Sequence, residues 1–142
     1  MGEAGTRSIL INESFSLLFH GQYKIVHHVT HMPISGAPFR EMLTRGAELL
    51  EERRATKWLS DNRLSGALHP EDGTWAMEVW SKRAIAAGWK YWAIVMPNAT
   101  LGRANIRRFI REYADHGVQS AIFDNPEDAL VWLKDPTVAV AV

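Results

Sequence analysis

The chain has no cysteine. Disulfides, thiolate metal centres and cysteine nucleophiles are therefore excluded together. Net charge is also missing, because 16 Lys and Arg balance 16 Asp and Glu. A neutral domain lacks the field that draws a protein onto nucleic acid, so no nucleic-acid partner is expected. No apolar run approaches the ~20 residues of a membrane span. Residues 1–7 are polar and carry no signal-peptide core. Together these absences predict a cytoplasmic protein with no membrane span. Signatures of catalysis are missing too: no phosphate-cradling Gly-rich loop, no G-x-S-x-G elbow, no H-E-x-x-H and no EF-hand spacing. Ser65, His69 and Asp72 lie close in sequence, but a triad is assembled in space and their proximity carries no weight. Neither a cofactor nor a metal is expected, and no motif supports an enzyme.

What is present describes one folded domain. Of 142 residues, 46% are apolar and 10% aromatic. That composition excludes disorder, and a chain of this length buries about 68–70% of its unfolded surface. The first 31 residues read as strands: Ser8 to Asn12, Ser14 to His20 and Tyr23 to His31. Gly21-Gln22 reads as a two-residue hairpin turn that sets His20 opposite Tyr23, Leu18 opposite Ile25 and Ser16 opposite His27. The period then changes to 3.6. Ser35 is a cap candidate, and Phe39, Met42, Leu43, Gly46, Ala47 and Leu50 form one helical face. Thr56 to Ser60 is a short strand. A second helix starts at Pro70, buries Ala76, Val79, Trp80, Ala84 and Ala87, and stops at Gly88. Trp89 to Met96 is apolar on both faces, which places it inside a sheet covered on both sides. A third helix, about Ala104 to Asp115, turns Ile106, Phe109, Ile110 and Tyr113 inward. A strand at Gln119 to Phe123 follows, then Asn125-Pro126-Glu127-Asp128 starts a last helix. Residues 137–142 are β-prone, either frayed or paired to an edge. The order β-β-β-α-β-α-β-α-β-α predicts one α/β domain with a core from about 8 to 134. Its sheet is mixed and mostly parallel, with an N-terminal antiparallel hairpin and helices on both faces.

The order of elements, the segment Trp58-Leu59-Ser60-Asp61-Asn62-Arg63-Leu64-Ser65-Gly66-Ala67, the helix from Pro70-Glu71-Asp72 with Trp75 and Trp80, and the ending Phe123 to Leu133 resemble small bacterial proteins of the SpoIIAA-like (STAS-type) superfamily. The resemblance covers roughly residues 8 to 134. It implies the fold above and a non-enzymatic regulatory or protein-interaction role, since members include anti-sigma-factor antagonists that bind a regulatory kinase. Others are related to lipid-carrying domains, which implies the alternative of a small-ligand carrier or sensor for a lipid or anionic metabolite. The antagonists are switched at a serine in an Asp-Ser-Ser-Gly loop. The nearest stretch here, Leu64-Ser65-Gly66, lacks the Asp-Ser pair.

Open sheets with parallel strands bind ligands outside the strands' carboxyl ends. The polar residues at those ends are Thr30 and His31, then Asp61, Asn62 and Arg63, then Asn98, and finally Asp124. His31, Asp61, Asn62, Arg63, Asn98 and Asp124 are the ligand-site candidates. An Arg63 guanidinium presents a planar fork to an anionic ligand. Equally, Asp61 and Asn62 form a turn for local reasons and Arg63 pairs with Asp61 or Asp124. His20, His27, His28 and His31 invite a metal, but His27 and His31 stand about 13 Å apart along a strand and His28 points the other way. Arg103, Arg107, Arg108 and Arg111 make a basic stripe on the third helix, either solvated or set against an acidic protein partner or anionic ligand. Six tryptophans are many for this length. Trp58 and Trp92 read as core, and Trp75, Trp80, Trp89 and Trp132 as too many to bury together, so a homodimer built on exposed indoles is expected.

Overall fold

A computed structural model describes residues 5–136. Six strands form one sheet in the order β1 (Thr6–Ile11), β2 (Phe15–His20), β3 (Ile25–Thr30), β4 (Lys57–Asp61), β5 (Tyr91–Val95) and β6 (Gln119–Phe123). β1, β2 and β3 pair antiparallel, and β3 to β6 run parallel. The helices are α1 (Ala37–Arg53), α2 (Pro70–Trp75), α3 (Ser81–Ala86), α4 (Thr100–Ala114) and α5 (Pro126–Lys134), with a π-helical turn over Ala76–Trp80 joining α2 to α3. The expected α/β class and order of elements are observed. Residues 137–142, the proposed tail, lie outside the described residues.

The chain steps across the sheet in one direction, β3 to β4 to β5 to β6. Crossovers of one hand that step one way deliver every connecting helix to the same face. α1, the α2–α3 rod and α4 therefore stack on a front face. There Met42, Leu50, Ala76, Ala84, Phe109 and Tyr113 meet Phe15, Leu17, Val26, Trp58, Trp92 and Ile94. α5, which crosses to no further strand, folds onto the back, and its Ala129, Trp132 and Leu133 cover Ile25, Leu59, Ala93 and Ala121. β5 contributes to both clusters, as a strand apolar on two faces must.

Three local expectations are corrected. The hairpin loop has four residues, and the register sets His20 opposite Ile25, Leu18 opposite His27 and Ser16 opposite Val29. A two-residue I′ or II′ turn needs a positive φ at its first position. Gly21 does not adopt one, and Lys24 does (φ 55). The shift is two residues, so each side chain keeps its face and the core is unaltered. Ser35 caps nothing. Gly36 occupies the cap of α1, and its N–H donates to Asp72 Oδ2 (2.9 Å), a carboxylate from α2. Val79 is 58% exposed rather than buried. The buried positions 72, 76, 80 and 84, with Ser81 beside them, include a spacing of four that drifts around an α-helix of 3.6 residues per turn. The wider π turn restores the phase.

The tryptophan expectation is also corrected, since none of the six is exposed. Trp58, Trp80, Trp89 and Trp92 pack edge to face in series, with ring centroids 5.3, 5.2 and 5.6 Å apart, and Tyr113 closes the cluster 5.2 Å from Trp89. Edge-to-face pairs satisfy the ring quadrupoles and add about 0.5–1.5 kcal/mol each beyond burial. Trp132 is buried on the back and Trp75 is half-buried against Phe39. The ground for an indole-mediated homodimer is thereby removed.

α1 approaches the sheet so closely that the Trp58 ring fills the place of a side chain at Gly46, and a Cβ there would overlap it. Gly→Ala inside a helix ordinarily stabilises by about 0.5–1 kcal/mol. Gly46→Ala is expected to do the reverse, lowering unfolding free energy by about 1–3 kcal/mol. Urea denaturation at neutral pH checks the sign.

Candidate functional site

Between the front-face helices and the sheet lies an open-mouthed cavity that reaches the carboxyl edge of the parallel strands. Water centres reach about 90 Å³ inside it. At ~10–15 Å³ for each water, there is room for about six waters or one small ring. The floor is the aromatic cluster: Trp58, Trp80, Trp89 and Trp92. Met42, Leu43 and Ala76 make one wall, and Ile106, Phe109 and Tyr113 another. The mouth lies among the loops after β3, β4 and β5, at Ile34, Gly66 to Leu68 and Pro97. Gly102 belongs to this rim because a Cβ there would stand 2.5 Å from the Gly66 carbonyl oxygen and 3.0 Å from Pro97.

A short polar strip crosses the apolar floor. Strand alternation turns His28, Ser60 and Asn62 to the front together with Trp58 and Trp92. The Trp58 indole N–H donates to His28 Nδ1 (3.0 Å), and His28 Nε2 bonds Asn62 Oδ1 (2.9 Å). Trp92 Nε1–H donates to Ser60 Oγ (2.8 Å). At the mouth Asn105 Oδ1 accepts the Leu68 N–H (3.1 Å). Burial drives the His28 pKa down from 6.5 to about 4, against the opposing pull of Asn62 and Asp61, and leaves the ring neutral at pH 7. Burial also pushes the Tyr113 phenol well above its ordinary range. Neither titratable group in the cavity exchanges a proton near neutral pH.

Of the sequence candidates, Asn62 alone lines this cavity. The parallel register sets Asp61 beside Val95 and Val95 beside Phe123, so Asp61, Asn98 and Asp124 do share the carboxyl edge. They do not converge. Asp61 faces the back, where both its oxygens take the Arg63 fork (2.9 and 2.7 Å). Of the two readings of that pair, the turn with a local ion pair is the one observed. His31 is exposed and bonds Ser16 Oγ (2.8 Å), while Asn98 and Asp124 are exposed. Arg107, Arg108 and Arg111 project from α4 into solvent, and Arg103 donates to the Pro97 carbonyl (2.9 Å). Among the described residues no three His, Asp or Glu side chains are placed to hold a metal. His27 and His28 point to opposite faces. Reading the sequence missed His28, Ser60 and Asn105. The available signal was parity, because two polar residues share the inward face of adjacent strands with two tryptophans.

Comparison of the chain with protein-family models, with curated proteins and with solved structures found no match. No helix among the described residues is long and apolar enough to cross a membrane.

Two buried imidazoles make the fold acid-sensitive. On the back face His27, next to His20 (Nε2 to Nδ1, 3.0 Å), is lowered from 6.5 to about 3, chiefly by burial and then by the charges of His20 and His28, with Asp61 opposing. Its Nε2 has no hydrogen-bond partner. A folded pKa below the unfolded 6.5 means that the unfolded chain takes the proton first. The stabilisation is complete above pH 6.5 and is lost as pH falls, down to about 4 for His28 and about 3 for His27. Between pH 6 and pH 4.5 stability is expected to fall by up to ~1.4 kcal/mol per pH unit for each imidazole. His27→Leu should remove roughly half that slope, which urea midpoints measured across the range will show.

Proposed function

We propose that this protein is a non-catalytic binding domain, a carrier or sensor that holds a small apolar ligand in the aromatic cavity at the carboxyl edge of its sheet. One observation carries the reading: a water-accessible hollow floored by four tryptophans. Protein interiors ordinarily leave few voids larger than a water molecule, and pockets lined by aromatic side chains with a few placed polar groups are the usual form of small-molecule sites. The hollow also lies where parallel strands end, the position that open sheets use for ligands. The neutral His28 and Tyr113 support holding over acid–base chemistry. The resemblance to SpoIIAA-like proteins, some related to lipid carriers, agrees with this role. The size of the hollow favours a one-ring molecule over a lipid tail.

The test is a thermal-shift screen of the full chain with one-ring apolar compounds. A ligand at about 100 times its Kd should raise Tm by roughly 9 °C. Ile106→Trp, which fills the hollow from its wall, should abolish the shift while leaving the unliganded Tm within a few degrees. Arg63→Ala should leave the shift intact, since Arg63 serves Asp61. A panel without any stabilising member would refute the reading.

One observation favours a second reading, a regulatory contact with a protein, first of all a second copy of this chain. Met32, Leu64 and Leu101 are exposed, at 45%, 54% and 63%. They stand on adjoining parts of the rim, where a Cβ on Gly66 would touch Pro33 and one on Gly102 would touch Gly66. The solvent-facing arginines of α4 would serve an acidic partner instead. Light scattering should then show a mass of twice 16.0 kDa, reverting to a monomer in Leu64→Glu. A wild-type monomer at every concentration removes the self-association.

A further inference from the structure

We infer that the ligand of this cavity is uncharged and presents a hydrogen-bond acceptor, a carbonyl oxygen in the plainest case, to one or more of the free donors of its lining: the amide of Asn62, the hydroxyl of Ser60 and the amide of Asn105. The inference rests on the ligand-binding reading above and adds the chemical class.

The hydrogens assign themselves from the donors that have no choice. An indole N–H only donates. Trp58 therefore makes His28 Nδ1 an acceptor, which leaves the proton of the neutral ring on Nε2. That N–H needs an acceptor, so the atom of Asn62 facing it is Oδ1, and the Asn62 NH₂ is turned away from His28. Rotating the amide would set a donor against a donor. By the same rule the Trp92 N–H occupies a lone pair of Ser60 and frees the Ser60 hydrogen. The backbone N–H of Leu68 fixes the oxygen of Asn105 and frees its NH₂. Among the described residues these three sets of hydrogens have no protein partner. Asn62 and Ser60 are 7% and 2% exposed and line the cavity, so their free hydrogens face its interior.

The other polar groups of the lining are occupied. Trp80 and Trp89 give their N–H groups to the carbonyls of Leu43 and Tyr91, and the Tyr113 hydroxyl donates to the Ala76 carbonyl (3.5 Å). The hydroxyls of Thr30 and Ser65 donate to the carbonyls of Asp61 and Asn62. What remains unmatched is hydrogens, while the oxygens of Asn62, Ser60 and Asn105 each already accept one bond. Buried donors left without a partner are rarer and less tolerated than carbonyls with a lone pair to spare. The lining contains no lysine or arginine, so a carboxylate or phosphate entering it would lose its hydration with no compensating cation. Acceptor without charge is the chemistry that fits.

Isothermal titration of the full chain with acetophenone, ethylbenzene and benzoate tests this. The first two share shape and differ in the carbonyl oxygen. Acetophenone is expected to bind about five- to tenfold tighter than ethylbenzene, and benzoate at least about tenfold weaker than acetophenone. Asn105→Asp and Asn62→Asp keep the oxygen that Leu68 or His28 uses and remove the free NH₂. In either variant the preference for the ketone should shrink to within about twofold while ethylbenzene affinity stays as in the wild type. If Asn62→Asp fails to fold, Asn105→Asp decides. Ethylbenzene binding as tightly as acetophenone, benzoate binding tighter than the ketone, or an unchanged ketone preference in both variants would overturn the assignment of class and leave the cavity as an apolar site. Binding of none of the three would overturn the ligand reading itself, and the class with it.

Discussion

An indole nitrogen donates a hydrogen bond and cannot accept one, and the site depends on that asymmetry. Trp58 is the largest fully buried side chain, at the front of β4 under α1. Its N–H has one partner, His28, and the direction of the His28–Asn62 bond follows from it. The imidazole takes a single tautomer, the amide of Asn62 a single orientation, and the polar part of the cavity shows hydrogens to whatever enters. Burial holds the ring neutral, which keeps this direction fixed through the physiological range. A residue read first as apolar bulk therefore sets the polarity of the site.

The cavity itself is a product of topology. Three crossovers stepping the same way crowd α1, the α2–α3 rod and α4 onto one face, while the other face has only α5 over its parallel half. The cavity lies between these helices and the sheet, with the loops at the carboxyl edge around it. The rod turns residues 76, 80 and 84 into the core, and its π turn holds them in phase. Asp72, at its start, reaches across to the first turn of α1 and bonds both Gly36 and Arg40. The two helices are thereby joined beside the mouth.

Much of the fold was legible from periodicity. The order of ten elements, the helical stripes, the two-faced β5 and the Asn125 cap, whose Oδ1 accepts the Asp128 N–H, all rest on local rules that tertiary structure did not override. The misreadings have a common physical cause, which is that they depend on groups far away in the chain. Gly36 is satisfied by Asp72, Val79 is turned outward by a π turn that only packing of the rod explains, and the tryptophans stay buried because they bury one another. The site was legible in position and not in content. Charge drew attention to Asp61 and Arg63, which neutralise each other on the back face. His28 and Ser60 looked like incidental polar residues on strands, and only the parallel register shows that they lie side by side with Asn62.

The Gly46–Trp58 contact has a consequence for how this sequence can change over evolutionary time. Volume can pass between the two positions, as a larger residue on the helix and a smaller one on the strand would fill the same space. The proton cannot pass with it, because no aliphatic residue at 46 would reach His28 with a donor. A drift that preserved density would leave the imidazole free to choose its other tautomer and the amide free to rotate. Glycine and indole are thus bound together as an inherited pair, and selection on binding would act on a helix position that touches no ligand.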